Sequence, residues 1–309
     1  MNTRLAVLDL GTNTFHLMVA EVVDGKPVVI FRDRRAVKLG KGGINQRTIL
    51  PDAMERAMSC MRSFKADADK CGVSRIVAIG TSALRGATNG QDLLAAIRKE
   101  TGVEVKVITG EQEANYIYLG VREAVNLGNS KSLIVDIGGG SVEFIIADST
   151  NIFWKASLDI GAQRLMELYH RQDPISTEDQ KALTLHYDNS LVPLLGAMSK
   201  WKPGILVGSS GTFDTLSEIH CNRQGMPYFP ASPEAPLTVE SFWEIHKELL
   251  ARDRAARLLI PGMIEMRVDM VVVASCLIAW IIERFALKKI RVSSYSLKEG
   301  VLASLVPET

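Results

Sequence analysis

Apolar and polar residues change their spacing several times along the chain, and each change marks an element. Residues 5–9 and 15–23 are β-prone apolar runs joined at 11–14, and Asp24-Gly25 is a turn signal before a third run, 27–32. Between 51 and 70 the spacing becomes helical, with Met54, Ala57, Met58, Met61 and Phe64 on one stripe and Pro51 suited to the first turn. A strand over 75–80, a helix over 91–100 ended by Gly102, and a strand over 103–108 follow. The second section opens the same way. It has strands at 132–137, 141–148 and 152–158, helices at 161–170 and 177–198, a strand at 204–207 and a helix at 212–219. Residues 221–236 hold four prolines and little periodicity, which predicts a loop. Helices at 237–254 and 262–285, a strand at 290–292 and a helix at 297–305 complete the chain. Strands alternating with helices predict an α/β fold built on central sheets.

A length of 309 residues is long for one core, so two domains are expected, with a boundary near 115–130. The chain is 47% apolar and 23% charged, a globular composition. The net charge of +1 gives no overall field for nucleic acid or a membrane surface. The longest apolar run, 270–282, is closed by Asp269 and Glu283 and falls short of the roughly 20 residues of a membrane span. It predicts a buried helix, either core or subunit interface, and a homodimer stays open on that account. Cys60, Cys71, Cys221 and Cys276 show no metal spacing, and the five histidines are scattered. Reduced thiols and a start without a leader-like pattern give a cytoplasmic expectation.

Two stretches carry the chemistry. "LAVLDLGTNTFHLMVAEV" (5–22) and "LIVDIGGGSVEFIIAD" (133–148) superimpose with Asp9 on Asp136, Gly11 on Gly138, Thr12 on Gly139, Asn13 on Gly140 and Thr14 on Ser141. A single recurrence suggests two related halves rather than a solenoid. Glycine permits a positive φ and a close approach to the main chain, and successive amides in such a turn make an anion-binding concavity. Hydroxyls at Thr12, Thr14 and Ser141 add donors. One such hairpin reads as a plain tight turn; two copies, each led by an aspartate, favour a phosphate grip. A Rossmann loop would open a helix, whereas 142–147 is β-prone, and a Walker A motif is absent. Glu143 stands where the first copy has His16, so the second copy has two carboxylates for a metal, Asp136 and Glu143.

Three further loops follow strands. In "VAIGTSALRGATN" (77–89), Thr81 or Ser82 can cap a helix and Arg85 can bind phosphate; a capped helix with a solvated arginine is the plain alternative. In "VITGEQEANYIYLGV" (107–121), Thr109 and Gln112 fit a capping box, and Glu111 and Glu113 lie in an acidic first turn. Glu113 is the candidate general base. "ILVGSSGTFDTL" (205–216) is another strand–turn–helix junction of phosphate type. Arg32, Arg34, Arg35, Lys38, Lys41 and Arg47 have only Asp33 among them; they read first as a solvated strand and loop, with a lane for a polyanion as the alternative.

The ordered set resembles the Ppx/GppA family of exopolyphosphatases and guanosine pentaphosphate phosphatases, in the actin, sugar-kinase and heat-shock-chaperone ATPase superfamily. The stretches that carry it are "DLGTNTFHL" (9–17), "TSALRGATN" (81–89), "ITGEQEANYIYLGV" (108–121), "DIGGGSVEF" (136–144), "GSSGT" (208–212), "RVDMV" (267–271) and "VSSYSLKEGVL" (292–302). The resemblance implies two ribonuclease-H-like domains with a cleft between them: 1–120, onto which a helix at 297–309 returns, and 121–296. It implies Glu113 as the base that activates water, and Asp136 and Glu143 on Mg²⁺, with Mn²⁺ as the alternative ion. It implies phosphate binding by Gly11, Asn13, Thr14 and Arg85, by Gly138, Gly139, Gly140 and Ser141, and by Gly208, Ser209, Ser210, Gly211 and Thr212, with Asp9 as a further site residue.

The sequence departs from the family pattern at four places. Gln112 replaces the first of two glutamates. Val142 replaces a threonine, a loss worth about 1.5–3 kcal/mol if a bond to phosphate goes with it. "GLREG" becomes "SLKEG" at 296–300, where Lys298 lacks a bidentate fork. The longer members carry extra helical domains, so a short two-domain form is expected. The expected activity is hydrolysis of terminal phosphoanhydrides in polyphosphate or guanosine penta- or tetraphosphate. A phosphotransferase of the same superfamily and a non-catalytic polyphosphate or alarmone sensor are the alternatives.

Overall fold

The computed structural model describes residues 3–230 and 232–306. The chain divides into two compact units, Met1–Gly120 with Leu297–Thr309, and Val121–Ser296. Residues 307–309 of the returning segment lie outside the described residues.

The first unit begins with β1 (Arg4–Leu10), β2 (Thr14–Val23) and β3 (Lys26–Ala36), continues through α1 (Pro51–Lys70), β4 (Arg75–Gly80), α2 (Ser82–Gly86), α3 (Gly90–Thr101) and β5 (Val105–Val107), and enters α4 (Gly110–Ala124). Its sheet runs β3-β2-β1-β4-β5, with β1 antiparallel to β2 and parallel to β4. Alternation along β1 and β2 sends Ala6, Leu8, Leu10, Phe15, Leu17 and Val19 into one core with Met61 and Phe64 of α1.

The second unit holds β6 (Ser132–Ile137), β7 (Val142–Ala147), β8 (Ile152–Leu158), α5 (Ala162–Tyr169), α6 (Thr177–Ser190), α7 (Val192–Trp201), β9 (Ile205–Ser209), α8 (Gly211–Arg223), β10 (Glu234–Ala235), α9 (Val239–Ala251), α10 (Arg254–Leu258), α11 (Val271–Phe285) and β11 (Ile290–Ser293). Helix α12 (Leu297–Leu305) then packs on β1 of the first unit. The second sheet runs β8-β7-β6-β9-β11-β10. Strand for strand it repeats the order and directions of the first, 3-2-1-4-5, with β10 added at one edge. Both units therefore have the ribonuclease-H-like arrangement.

Several elements differ from their predicted extents, each for a local reason. The helix over 177–198 breaks at Leu191, because Pro193 at the start of α7 cannot donate to the preceding turn. The helix over 237–254 ends at Ala251, and Asp253 starts α10 by accepting from the Ala256 N–H (2.8 Å). Residues 262–270 are turns, with Gly262 at φ +94°, so α11 begins only at Val271. Within the predicted loop 221–236, α8 continues to Arg223, and Glu234–Ala235 pairs with β11. Helix α11 is buried within its own unit, and the Val273 carbonyl takes the Tyr187 hydroxyl at 3.1 Å. Core packing thus accounts for its apolarity. Among the described residues no helix is long and apolar enough to cross a membrane, and all four cysteines are free.

His246 on α9 is buried, stacks on Phe242 and shares a hydrogen bond with Ser275 Oγ (Nδ1 to Oγ 2.9 Å). Burial lowers its pKa from 6.5 to about 4. Burial lowers those of His170, His186 and His220 as well. A lowered folded-state value means that the unfolded chain takes the proton first. The contribution of His246 is therefore whole above about pH 6.5 and is lost as pH falls toward 4. Its share is about 3 kcal/mol. Urea melts at pH 7.5 and 4.5 are expected to differ, and His246→Gln is expected to narrow the difference; an unchanged gap would contradict this account.

Candidate active site

The chemistry of the second unit lies on one cross-strand row. Asp136 on β6 pairs in register with Glu143 on β7, Glu143 with Ser157 on β8, Asp136 with Ser209 on β9, and Ser209 with Ser293 on β11. Residues opposite each other on neighbouring strands point to the same face, so two carboxylates stand side by side among hydroxyls. Glu143 is 1% exposed and Asp136 5%. Burying such groups is costly unless they are hydrogen-bonded, and each has two donors on one oxygen. Glu143 Oε1 accepts from Ser141 Oγ (2.8 Å) and Ser157 Oγ (2.6 Å). Asp136 Oδ2 accepts from Ser209 Oγ (2.6 Å) and from Ser296 Oγ. A serine has one O–H proton. In this structure Ser141 and Ser209 spend it on carboxylates, which leaves their backbone N–H groups as what they could offer a phosphate. Val142 is buried in the core on the opposite face from Glu143. A hydroxyl there would face the core, so the expected loss of a phosphate contact does not arise from this substitution.

The glycine loop between β6 and β7 is closed by Gly138 N–H donating to Ser141 O (3.0 Å), and the loop between β1 and β2 by Gly11 N–H donating to Thr14 O (3.2 Å). Neither glycine has a positive φ, contrary to the expectation for the turn. The requirement is space: a Cβ would lie 2.8 Å from Thr14 O at Gly11 and 2.9 Å from Ser141 O at Gly138. The backbone after the third strand of each unit then folds back on the loop. Gly40 and Lys38 N–H donate to Thr12 O (2.9 Å) and Asn13 O (2.8 Å). In the second unit Ala162 N–H donates to Gly138 O (2.9 Å), Gln163 N–H to Gly139 O (2.9 Å) and Gly161 N–H to Gly140 O (3.3 Å), and Arg164 Nε reaches Gly140 O (3.1 Å). These bonds fix the direction of the loop peptides, and with it the direction of the N–H groups they carry. The only sequence signal for this support is an apolar residue and a glycine after the third strand of each unit, Leu39-Gly40 and Ile160-Gly161.

The junction 208–212 places Gly208 and Ser209 at the end of β9 and Gly211 and Thr212 in the first turn of α8. Ser210 between them has φ +76° and ψ +169°, a region nearly reserved for glycine. The guanidinium of Arg267 lies against Gly211, where any side chain would collide with it. Arg267 comes from the matched stretch "RVDMV" and brings a cation to this turn.

In the first unit the corresponding row is Arg34, His16 and Asp9 across β3, β2 and β1. Thr12, Asn13 and Thr14 are buried. The capping box of α4 forms in both directions: Gln112 N–H donates to Thr109 Oγ1 (3.2 Å), and Thr109 N–H to Gln112 Oε1 (3.0 Å). It sets the helix phase so that Glu111 and Gln112 are exposed while Glu113 is buried, 7% exposed. Arg85 Nη1 pairs with Glu113 Oε2 (2.9 Å) and also donates to Ile108 O (3.1 Å). The two residues assigned separate roles from sequence are thus partners. Neither Thr81 nor Ser82 caps α2 with its side chain; Thr81 Oγ1 reaches back toward Leu10 O at 3.5 Å. The basic stretch does not form one lane. Arg32 and Arg34 take the exposed face of β3, and Arg35 turns to the other face, to Asp33 (2.9 Å) and Asp67 (3.7 Å) over the Phe64 ring.

Among the described residues no group of three or more His, Cys, Asp or Glu side chains could hold a metal. The pair Asp136 and Glu143 still suits Mg²⁺, which uses one or two carboxylates and completes its shell with water and phosphate.

A family model described as the Ppx/GppA phosphatase family matches residues 18–309. The chain belongs to that family. It is 30% identical over 304 residues to the guanosine-5'-triphosphate,3'-diphosphate pyrophosphatase of Pseudoalteromonas translucida, covering 98% of this chain and 59% of that protein. The Vibrio campbellii protein of the same name is 28% identical, again with 59% of its length covered. The chain thus spans well under two thirds of these curated relatives. Among solved structures, an exopolyphosphatase from Cytophaga hutchinsonii has a TM-score of 0.96 and 42% identity, with 98% of each chain covered. A Ppx/GppA family member from Aquifex aeolicus has a TM-score of 0.80 and 27% identity, covering 99% of this chain and 98% of that one.

Proposed function

We propose that the protein hydrolyses terminal phosphoanhydride bonds and releases inorganic phosphate, with polyphosphate as the first substrate and guanosine pentaphosphate as the second. The observation that carries this reading is the duplicated hairpin: two loops in the same register, each with carbonyls tied back by the segment after its third strand, which sets how the loop peptides point toward an anion. Likeness along the full length to an exopolyphosphatase supports polyphosphate. In this reading Glu113 takes a proton from the attacking water, held in place by Arg85. Amides of Thr12–Thr14, Gly139–Ser141 and Gly208–Thr212, with Arg267, bind phosphoryl oxygens, while the Gly11 and Gly138 amides close their own turns. Asp136 and Glu143 hold Mg²⁺ or Mn²⁺, which when bound offsets the charge of the phosphates. The free thiols suit a cytoplasmic setting.

The test is phosphate release from short polyphosphate, long polyphosphate, guanosine pentaphosphate and ATP with a sugar acceptor, each with Mg²⁺. Release from polyphosphate in water supports the reading. Transfer to the acceptor instead, or tight binding without turnover, would overturn it in favour of a kinase or a sensor.

A further inference from the structure

We propose that Ser296 is a positioning residue for Asp136, fixing the plane of its carboxylate and so the direction of the oxygen that meets the divalent cation. The inference rests on the metal reading above. Ser296 follows β11 in a turn that is itself held: Ser293 Oγ donates to Tyr295 O (2.7 Å), and Tyr295 N–H donates to Ser293 Oγ (3.2 Å). Ser294 N–H donates to Pro233 O (2.9 Å), and Arg291 forms a two-pronged pair with Glu234 (2.6 Å for both bonds). The end of β11 is therefore fixed on both sides, and the Ser296 hydroxyl is delivered to Asp136 Oδ2.

Ser209 already donates to that same oxygen. One donor on Oδ2 leaves the carboxylate able to swing about its last bond while that single hydrogen bond is kept. Two donors arriving from β9 and from the turn after β11 hold that oxygen from two directions, so a swing that keeps one bond strains the other and the carboxylate plane is fixed. Oδ1 receives neither hydroxyl and is the oxygen left for a cation or its waters. Groups that orient a metal ligand in this way typically change affinity by 10–100-fold when removed.

Mn²⁺ binding without substrate, read from the electron paramagnetic resonance signal of the free ion, tests this on the full chain. Ser296→Ala is expected to weaken Mn²⁺ binding about tenfold, and Ser296→Thr, which keeps the hydroxyl, is expected to restore it. In phosphate release the Ser296→Ala change is expected in the Mn²⁺ concentration for half-maximal rate more than in the rate at saturation. Asp136→Asn separates the two levels of inference. If Asp136→Asn loses Mn²⁺ while Ser296→Ala binds it as tightly as the parent or tighter, the positioning role is wrong and the metal site stands. If Asp136→Asn binds Mn²⁺ like the parent, the metal site is wrong and the positioning role falls with it.

Discussion

Replacing Glu113 with glutamine is expected to lower phosphate release by about 10²–10⁴, with little change in thermal stability. The substitution keeps the size of the side chain and an oxygen for Arg85, and removes the ability to take a proton. Glu113 is suited to the role by three features together. It is buried in the first turn of α4, so it is not simply an acid facing solvent near a helix dipole. Its Oε2 is held by Arg85 Nη1, which fixes the carboxylate orientation. Arg85 is itself fixed by its bond to Ile108 O. Glu111, in the same turn and exposed, provides the comparison: Glu111→Gln is expected to leave the rate within about twofold, since a surface dipole contact is worth at most about 1 kcal/mol to the helix and nothing to the reaction. Phosphate release by the two variants decides between the roles. Equal rates for Glu113→Gln and the parent would remove Glu113 from the chemistry.

What could be read from sequence was whatever is local. The hairpins at 5–22 and 132–148 were legible because a period-two apolar run, a glycine and a second run are neighbours in the chain, and their register follows from the turn. The capping box at Thr109 and Gln112 was legible for the same reason. That box also fixed the burial of Glu113 relative to Glu111, although the pattern of charges alone placed both in one acidic turn. The basic stretch on β3 reads first as a solvated strand, and the alternative of one lane fails on strand alternation: Arg34 and Arg35 are adjacent in sequence and on opposite faces.

The rest was hidden because it is long-range. Ser157 and Ser296 reach the two carboxylates from 14 and 160 residues away in sequence, and nothing near either serine announces a partner. Their contribution changes the chemistry assigned to Ser141 and Ser209, whose hydroxyls orient carboxylates. The support of each glycine loop by the segment after the third strand is of the same kind. It becomes visible only when the chain has turned through two strands and come back, and it occurs in both units although the returning sequences share little beyond an apolar residue and a glycine.

That support has a measurable consequence at one position. Gly161→Ala is expected to cost about 1–3 kcal/mol of stability and to lower phosphate release about 10²-fold. The added methyl would sit on the backbone of Gly139 and Gly140, and backbone closed into a tight loop cannot rotate away as a side chain can. Relief must come from moving the loop or from withdrawing the start of α5, and either step breaks the bonds from Ala162 and Gln163 to the loop carbonyls. On the proposed function, amides that bind phosphate then lose their aim, and a displacement near 1 Å is enough for a change of that size. The first unit supplies the control. At Gly40 the methyl would meet Thr12 Cγ2 at 2.5 Å and Ile44 Cβ and Cδ1 at 3.3 Å, side-chain atoms and not the backbone of the loop. Gly40→Ala is therefore expected to cost less than tenfold in rate. A thermal melt separates folding from aim: at about 2–4 °C per kcal/mol the Gly161→Ala protein stays folded at the assay temperature, so its lost rate reports on the loop. Parent-like activity in Gly161→Ala, or equal losses in both variants, would show that the carbonyl contacts do not set the direction of the loop amides.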